Sequence, residues 1–505
     1  MNELHKNFHS IQINITPHTF AGLAKQNMTF HQGIMELCDN AIAAAPAGEK
    51  SLIFIGLAPG SAKDELLLAV ADWGSGMGLT QLENALQLGS LPIGSNRLNE
   101  HGFGINNALA SLTGGDRPWA LYTRPRGSAT YLKVQGPFTP QMTVEEVDAP
   151  ALPPGIALPW DNPSTVYCIH VPLAIAQSVQ GRGGKATDLE TLRSWLMEHL
   201  GVAYRGFLDL DSRTMEPSAK IIVAVGTDAK AVPPIPVPIS GPIVQRFTVE
   251  MGGQVIPVVY RYGSLDEDKR DHLVLGAKAK YYYQGNQPTQ GVDIRLGKRV
   301  IATAQLSEIW RGSNGMPLAR HNNYNDFVGE VLLPELPRGV LSTLNNKTNL
   351  NPNDPDWQNL FSLLAQYPPI AHPKAYTEKA LQSRWISALL AVNPHDRVTD
   401  EMTVWPTGAR IDVFDEGPDK RVIYELKATK GEPLHLYQLK MYWDGLVLDG
   451  VQPTEAVLIV PKYTSDLARM AELINTRLTP PAFSNGSPSL SYHFKLATHE
   501  EKCLA

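Results

Sequence analysis

Residues Glu36-Leu37-Cys38-Asp39-Asn40-Ala41 constrain this chain more than any other stretch. They continue an apolar pattern at helical spacing (Ile34, Leu37, Cys38, Ala41, Ile42), so one face of the segment is expected to be buried. Yet Glu36, Asp39 and Asn40 place three polar groups within five residues of that helix. Such groups are costly on a buried face unless they have partners. Glu36 and Asn40 are four apart and project from one face, one turn from each other. A carboxylate beside a carboxamide suits a metal-bound nucleotide, the first positioning water and the second ligating Mg²⁺. A solvated helix face would carry the same string, so residues further along the chain decide between the two.

Asp72-Trp73-Gly74-Ser75-Gly76-Met77-Gly78 comes directly after the strand-like apolar run 66–70. Gly102-Phe103-Gly104-Ile105-Asn106-Asn107-Ala108 leads into an apolar helical pattern (Ala108, Leu109, Leu112). Alone, each is an ordinary Gly-rich turn. In this order and spacing the three elements resemble the GHKL ATPases: gyrase, MutL, the large heat-shock chaperones, histidine kinases and MORC proteins. The resemblance covers residues 10–200 and implies a Bergerat-type sandwich that binds ATP with Mg²⁺. It also implies roles. Glu36 would orient or deprotonate the attacking water, and Asn40 would ligate Mg²⁺ beside the phosphates. Asp72 would accept the adenine amino group, with Thr165 of the strand-like run 164–169 behind it. Gly74 and Gly76 would let backbone approach the base, and Met77 would pack on the purine. Gly102, Phe103 and Gly104 would hinge a lid over residues 88–101 (including Gly89, Ser90, Gly94 and Ser95), with backbone N–H groups meeting the phosphates at a helix start.

Pro-rich stretches punctuate the chain. Residues 149–163 are expected to be a loop inside the first domain, residues 233–242 a loop in a second, and residues 368–373 a domain boundary. The expected division is 1–200, 201–366 and 374–505. Residues 187–200 read as a helix (Leu189, Leu192, Trp195, Leu196, Leu200), and the middle region alternates strand-like runs (220–225, 254–262, 291–301) with loops. This middle texture resembles the S5-like transducer domain of gyrase, MutL and, nearest, MORC proteins. There a lysine reaches the γ-phosphate; Lys347, before a helix around 356–364, is the matching residue, a flexible point charge able to sense the terminal phosphate. Gly181-Arg182-Gly183-Gly184-Lys185-Ala186 lacks the glycine spacing and the hydroxyl of a phosphate loop and reads as a basic loop.

The C-terminal segment carries a separate constellation. Residues 410–414 and 421–427 read as two strands around a turn at 415–419. Glu425 and Lys427 are two apart and share a face, and a hairpin would bring Asp412 beside them. Converging carboxylates repel unless a cation lies between them, and a lysine there can stabilise an oxyanion or a nucleophilic hydroxide. That arrangement serves metal-dependent phosphodiester hydrolysis, although an Asp…Glu-x-Lys string is also common on solvated sheet faces. These residues resemble the PD-(D/E)xK nucleases, a restriction-endonuclease-like α/β fold. The resemblance implies metal binding by Asp412, Glu425 and the upstream Glu378, which heads a helix over 378–390, with Lys427 beside them. Gln438 and Tyr442, four apart on a following helix, match the Gln-x-x-x-Tyr pattern of the RecB-like branch. His395 and His435 read as structural or solvated.

With 505 residues, 43% hydrophobic and 19% charged, the chain fits a soluble α/β (α+β) protein of about three domains. No apolar run approaches the roughly twenty residues of a membrane span, and Met1 to Lys6 lacks a signal core. Cys38, Cys168 and Cys503 are too few and scattered for a disulfide framework or zinc site. A cytoplasmic protein is therefore expected, with no membrane. The net charge of −6 argues against dispersed electrostatic nucleic-acid binding but leaves room for a local basic groove.

Together these point to an ATP-regulated nuclease that uses Mg²⁺, or Mn²⁺ at the nuclease site. ATP would drive N-terminal homodimerisation, Lys347 would report the γ-phosphate, and the C-terminal domain would cut nucleic acid, DNA by analogy with MORC, MutL and gyrase. A bacterial antiviral defence effector is the setting such a fusion suggests. The alternative is a DNA clamp or repair ATPase whose third domain only binds. A histidine kinase is disfavoured, because the strand-like run 11–15 stands where its phosphoacceptor hairpin would be.

Overall fold

The computed structural model describes residues 17–25, 28–89, 104–139, 141–181, 188–211, 214–312, 315–337, 340–341, 350–351, 354–369, 378–405 and 408–502. The chain separates into two compact units, Met1–Ala371 and His372–Ala505. Among the described residues no helix is long and apolar enough to cross a membrane.

The first unit holds two sheets. Strands β1 (Ser51–Pro59), β2 (Glu65–Asp72), β3 (Trp119–Thr123), β4 (Tyr131–Gln135), β5 (Val144–Val147), β6 (Thr165–Pro172), β7 (Ala219–Val225) and β8 (Asp228–Ala231) form the larger one, in the order β5-β4-β3-β6-β2-β1-β7-β8. Only β1 and β7 pair in parallel. The period-two alternation of β2 explains how both faces are covered. Leu66, Leu68 and Val70 join the core beneath helices Phe30–Ala43, Gly104–Thr113 and Leu189–Ala203, while Leu67, Ala69 and Ala71 join a smaller cluster on the opposite face. That second cluster is closed by Leu152, Ile156, Leu158 and Trp160 of the Pro-rich loop. By the same alternation Asp72, at the end of β2, lies on the helix side.

The run 220–225, read from sequence as part of the middle region, instead extends this sheet: Ile53 pairs with Ile221 across β1 and β7. A parallel partner this distant leaves no local signal. The second sheet comprises β9 (Ile239–Met251), β10 (Gln254–Leu265), β11 (Gly291–Leu296), β12 (Arg299–Gln305) and β13 (Phe327–Leu333), in the order β12-β11-β13-β10-β9. Residues 239–242 of the expected loop belong to β9. Helix Pro355–Leu364 adds Trp357, Leu360, Phe361 and Leu364 to its core.

His31 and His199, on two helices of the larger layer, stack with ring centroids 3.7 Å apart and planes 2° from parallel. His199 Nε2 lies 2.7 Å from the Val179 carbonyl, which can only accept, so Nε2 carries the proton and Nδ1 accepts from the Tyr282 hydroxyl at 2.9 Å. Burial lowers His199 to about 4, and burial together with His199 lowers His31. Both folded values lie below the unfolded one, so this stability is fully present above about pH 6.5 and is lost as pH falls toward 4. Acid denaturation followed by circular dichroism should show a loss on the order of 3 kcal/mol across that window from His199 alone. His199→Phe should flatten the slope.

The second unit is one five-stranded sheet: β14 (Arg397–Thr403), β15 (Arg410–Glu416), β16 (Arg421–Leu426), β17 (Glu455–Val460) and β18 (Phe494–Thr498), in chain order. The first three pair antiparallel; β16, β17 and β18 run parallel. Helix Glu378–Val392 packs Leu381, Trp385 and Leu389 with Val413 and Tyr424. Helices Pro433–Leu448 and Ser465–Arg477 pack with Phe414, Ile423 and Leu458. The expected turn at 415–419 is shorter, because β15 continues through Glu416: Asp415 is fully buried and accepts from Lys420 Nζ at 2.7 Å.

Candidate functional site

The Phe30–Ala43 helix is started by the Gln32 side chain, whose Oε1 accepts from the Thr29 N–H at 2.9 Å. Glu36 and Asp39 are buried in it, 2% and 1% exposed. Asn40 Nδ2 is buried without a hydrogen-bond partner among the described residues. Gly104, of helix Gly104–Thr113, lies beside both groups. A Cβ there would lie 2.6 Å from Glu36 Oε2 and 4.0 Å from Asn40 Nδ2. The first and third sequence motifs therefore meet, and the glycine leaves a cradle that a side chain would fill.

Asp72 lies opposite Thr165 in the β2/β6 ladder. Its Oδ1 accepts from the Gly74 N–H at 2.9 Å. Burial pushes the Asp72 carboxyl up to about 6, against the Gly74 N–H and the Thr165 hydroxyl. Thr165 Oγ1 is 3.3 Å from Thr123 Oγ1, which accepts from the Met77 N–H at 3.0 Å. Gly76 has φ +64°, and a Cβ there would fall 1.8 Å from the Arg124 carbonyl oxygen, so only glycine fits. Ser75 donates its backbone N–H to the Ala44 carbonyl at 2.9 Å, which ties the Gly74–Gly76 turn to the end of the Glu36 helix.

Thr123 went unread in the sequence because nothing local marks a threonine on an interior strand. Gly102, Phe103, Lys347, the 90–101 part of the expected lid and the strand-like run 11–15 lie outside the described residues. If the cradle beside Glu36 binds ATP, Gly104→Ala should lower its turnover by about tenfold or more with little loss of stability, since the added methyl meets the movable end of Glu36 rather than backbone. Steady-state hydrolysis alongside a melting curve tests this.

In the second unit Asp412 stands opposite Glu425, one step beyond the Val413–Tyr424 pair of β15 and β16. Asp412 Oδ2 accepts from the Leu426 N–H at 2.8 Å, and Oδ1 from Gln382 Nε2 at 2.9 Å. Lys427 Nζ lies 2.7 Å from Glu425 Oε1, 3.5 Å from Glu378 Oε2 and 4.0 Å from Asp412 Oδ2. Three carboxylates from a helix and two strands thus face one ammonium. Burial, then the Asp412 charge, raises Glu425 to about 8, with Lys427 opposing. Burial also raises Asp412.

Glu425 Oε2 and Gln438 Oε1 are buried without hydrogen-bond partners among the described residues. Tyr442 is buried too; burial, then the charges of Glu425 and Asp412, raises its hydroxyl well above the usual tyrosine range, as expected for a residue facing the cluster. Burial and the Lys427 charge lower His435. Gln382 is the residue missed here. It sits four after Glu378 on one helix face, but glutamine at that spacing is too common to signal a site.

Among the described residues no three His, Cys, Asp or Glu side chains form a ready group for a metal ion. The ammonium of Lys427 already supplies positive charge between the carboxylates. Asp412 and Glu425 nevertheless offer the oxygen chemistry a hard cation takes, and the orphaned Glu425 Oε2 gives one unused acceptor. The chain matches no protein-family model and no curated protein.

Proposed function

We propose that the protein is an ATP-regulated, metal-dependent nuclease acting on DNA, with nucleotide bound by the first unit and phosphodiester cleavage in the second. The observation that carries the reading is the cluster of Asp412, Glu425 and Glu378 around Lys427, with Gln438 and Tyr442 on the adjoining helix. Asp412 and Glu425, aided by Glu378, would hold Mg²⁺ or Mn²⁺. The ion's contribution when bound is to lower the pKa of water and neutralise charge on the phosphate. Lys427 holds a proton beside the attacked phosphate and stabilises its added negative charge. Gln382 and the Leu426 N–H fix the Asp412 carboxylate.

In the first unit Glu36 orients the attacking water and Asn40 holds Mg²⁺. Asp72 and Thr165 take the adenine edge, with Gly74, Gly76 and Met77 around it. Gly102, Phe103 and Gly104 hinge the lid, and Lys347 senses the γ-phosphate. Nucleotide-driven pairing of two first units is the proposed control, and antiviral defence the proposed setting. The clamp reading, in which the second unit binds DNA without cutting, is favoured by one observation: among the described residues no three His, Cys, Asp or Glu side chains form a ready group for a metal ion.

Plasmid, linear and single-stranded DNA and RNA, incubated with the protein and Mg²⁺ or Mn²⁺, with and without ATP or a non-hydrolysable analogue, separate the two. Metal-dependent DNA cleavage that changes with nucleotide is expected. Nucleotide-dependent binding with no cut on any substrate establishes the clamp instead.

A further inference from the structure

The proposed roles leave Asp39 unused, although it lies between Glu36 and Asn40 in the chain. Its Oδ1 is 3.1 Å from Arg299 Nε, and the Tyr204 hydroxyl shares its proton between that oxygen and the Met35 carbonyl, 2.8 Å from each. The Arg299 guanidinium also sits 4.5 Å above the Tyr204 ring. Arg299, Asp39 and Tyr204 are all buried. An ion pair withdrawn from water in this way cannot be opened cheaply.

Arg299 opens β12 and so belongs to the second sheet, whereas Asp39 belongs to the helix over the first. The hairpin around Arg299 is pinned on both sides. Lys298 Nζ reaches Asp211 at 2.9 Å and Ser218 Oγ at 3.1 Å. The Lys298 carbonyl lies against Gly206, where a Cβ would approach it to 2.6 Å. In the opposite sense Arg205, next to Tyr204, donates to Glu330 at 2.8 Å and Asp293 at 3.0 Å in β13 and β11. Any displacement of the second sheet would therefore act on the Arg299–Asp39 contact, and through it on the turn of helix that bears Glu36 and Asn40.

We infer that Arg299 is a positioning residue for ATP hydrolysis, holding Glu36 and Asn40 in register through Asp39 and transmitting displacement of the second sheet to them. This rests on the nucleotide-binding reading of the first unit. It differs from phosphate sensing by Lys347, because Arg299 is buried against Asp39 and Tyr204 and acts through the helix that bears Glu36 and Asn40.

The test compares Arg299→Ala, Arg299→Lys and the paired apolar replacement Asp39→Leu/Arg299→Met in the full chain, measuring ATP affinity, kcat and melting temperature. Arg299→Ala should lower kcat about a hundredfold with ATP affinity retained, the scale of a slight misplacement of reacting groups. Arg299→Lys, which keeps the charge, should recover part of that loss. The paired replacement removes both buried charges and should recover the melting temperature without recovering kcat. Recovery of kcat together with stability, or wild-type kcat in Arg299→Ala, overturns the inference. A wild-type chain that binds no ATP removes the nucleotide reading itself, and the inference with it.

Discussion

Lys427→Ala is expected to reduce DNA cleavage by about a thousandfold while ATP turnover stays at the wild-type rate. The magnitude reflects the groups around the ammonium. It is 2.7 Å from Glu425, 3.5 Å from Glu378 and 4.0 Å from Asp412, and it is mostly buried. A preorganised charge in such a place supplies about 10²–10³ in rate as an electrostatic stabiliser. Removing it also leaves Glu425 and Asp412 opposed. Glu425 answers by holding its proton more tightly, the direction in which burial and Asp412 already push it. The neutral acid limits the structural cost, so the melting temperature should move far less than activity does. A gel assay of plasmid cleavage beside a phosphate-release assay reads both quantities from one preparation. Equal cleavage by wild type and variant would place the chemistry elsewhere.

Legibility in the sequence divides along a physical line. Elements that announce themselves by periodicity are where the sequence puts them: the Glu378–Val392 helix covers the expected 378–390, and β15 and β16 cover 410–414 and 421–426 of the expected strands. The juxtaposition of Asp412 and Glu425 was legible for the same reason, since a short hairpin fixes register and register fixes which side chains face each other. Illegible were contacts made only by tertiary packing. Asp39 reads as one more polar residue until Arg299, 260 positions away in sequence, is seen beside it. The 220–225 run has the pattern of any buried strand, and only its parallel pairing with β1 assigns it to the larger sheet. The Pro-rich 149–163 loop carries Leu152, Ile156, Leu158 and Trp160, yet no pattern within it says that they cap a sheet face. Gln382 and Thr123 were missed because each is an ordinary residue made special by its neighbours.

Glu36→Gln should lower ATP hydrolysis by about 10²–10⁴-fold and leave nucleotide binding intact. The substitution keeps the shape of the side chain, so the packing of Gly104 against its end is retained. What it removes is the carboxylate able to take a proton from water. Binding is expected to survive because the proposed adenine side is built separately: Asp72 accepts from Gly74 and lies opposite Thr165, whose hydroxyl is tied through Thr123 to Met77. The variant therefore holds ATP without consuming it, and that isolates what ATP does for the second unit. If bound ATP licenses cutting, Glu36→Gln cleaves DNA in ATP as wild type does in a non-hydrolysable analogue, and sediments as the same dimer. If turnover drives cutting, the variant is as inert as Lys427→Ala. Cleavage that ignores nucleotide in both proteins would separate the two activities altogether, because a binding site that is filled and silent regulates nothing.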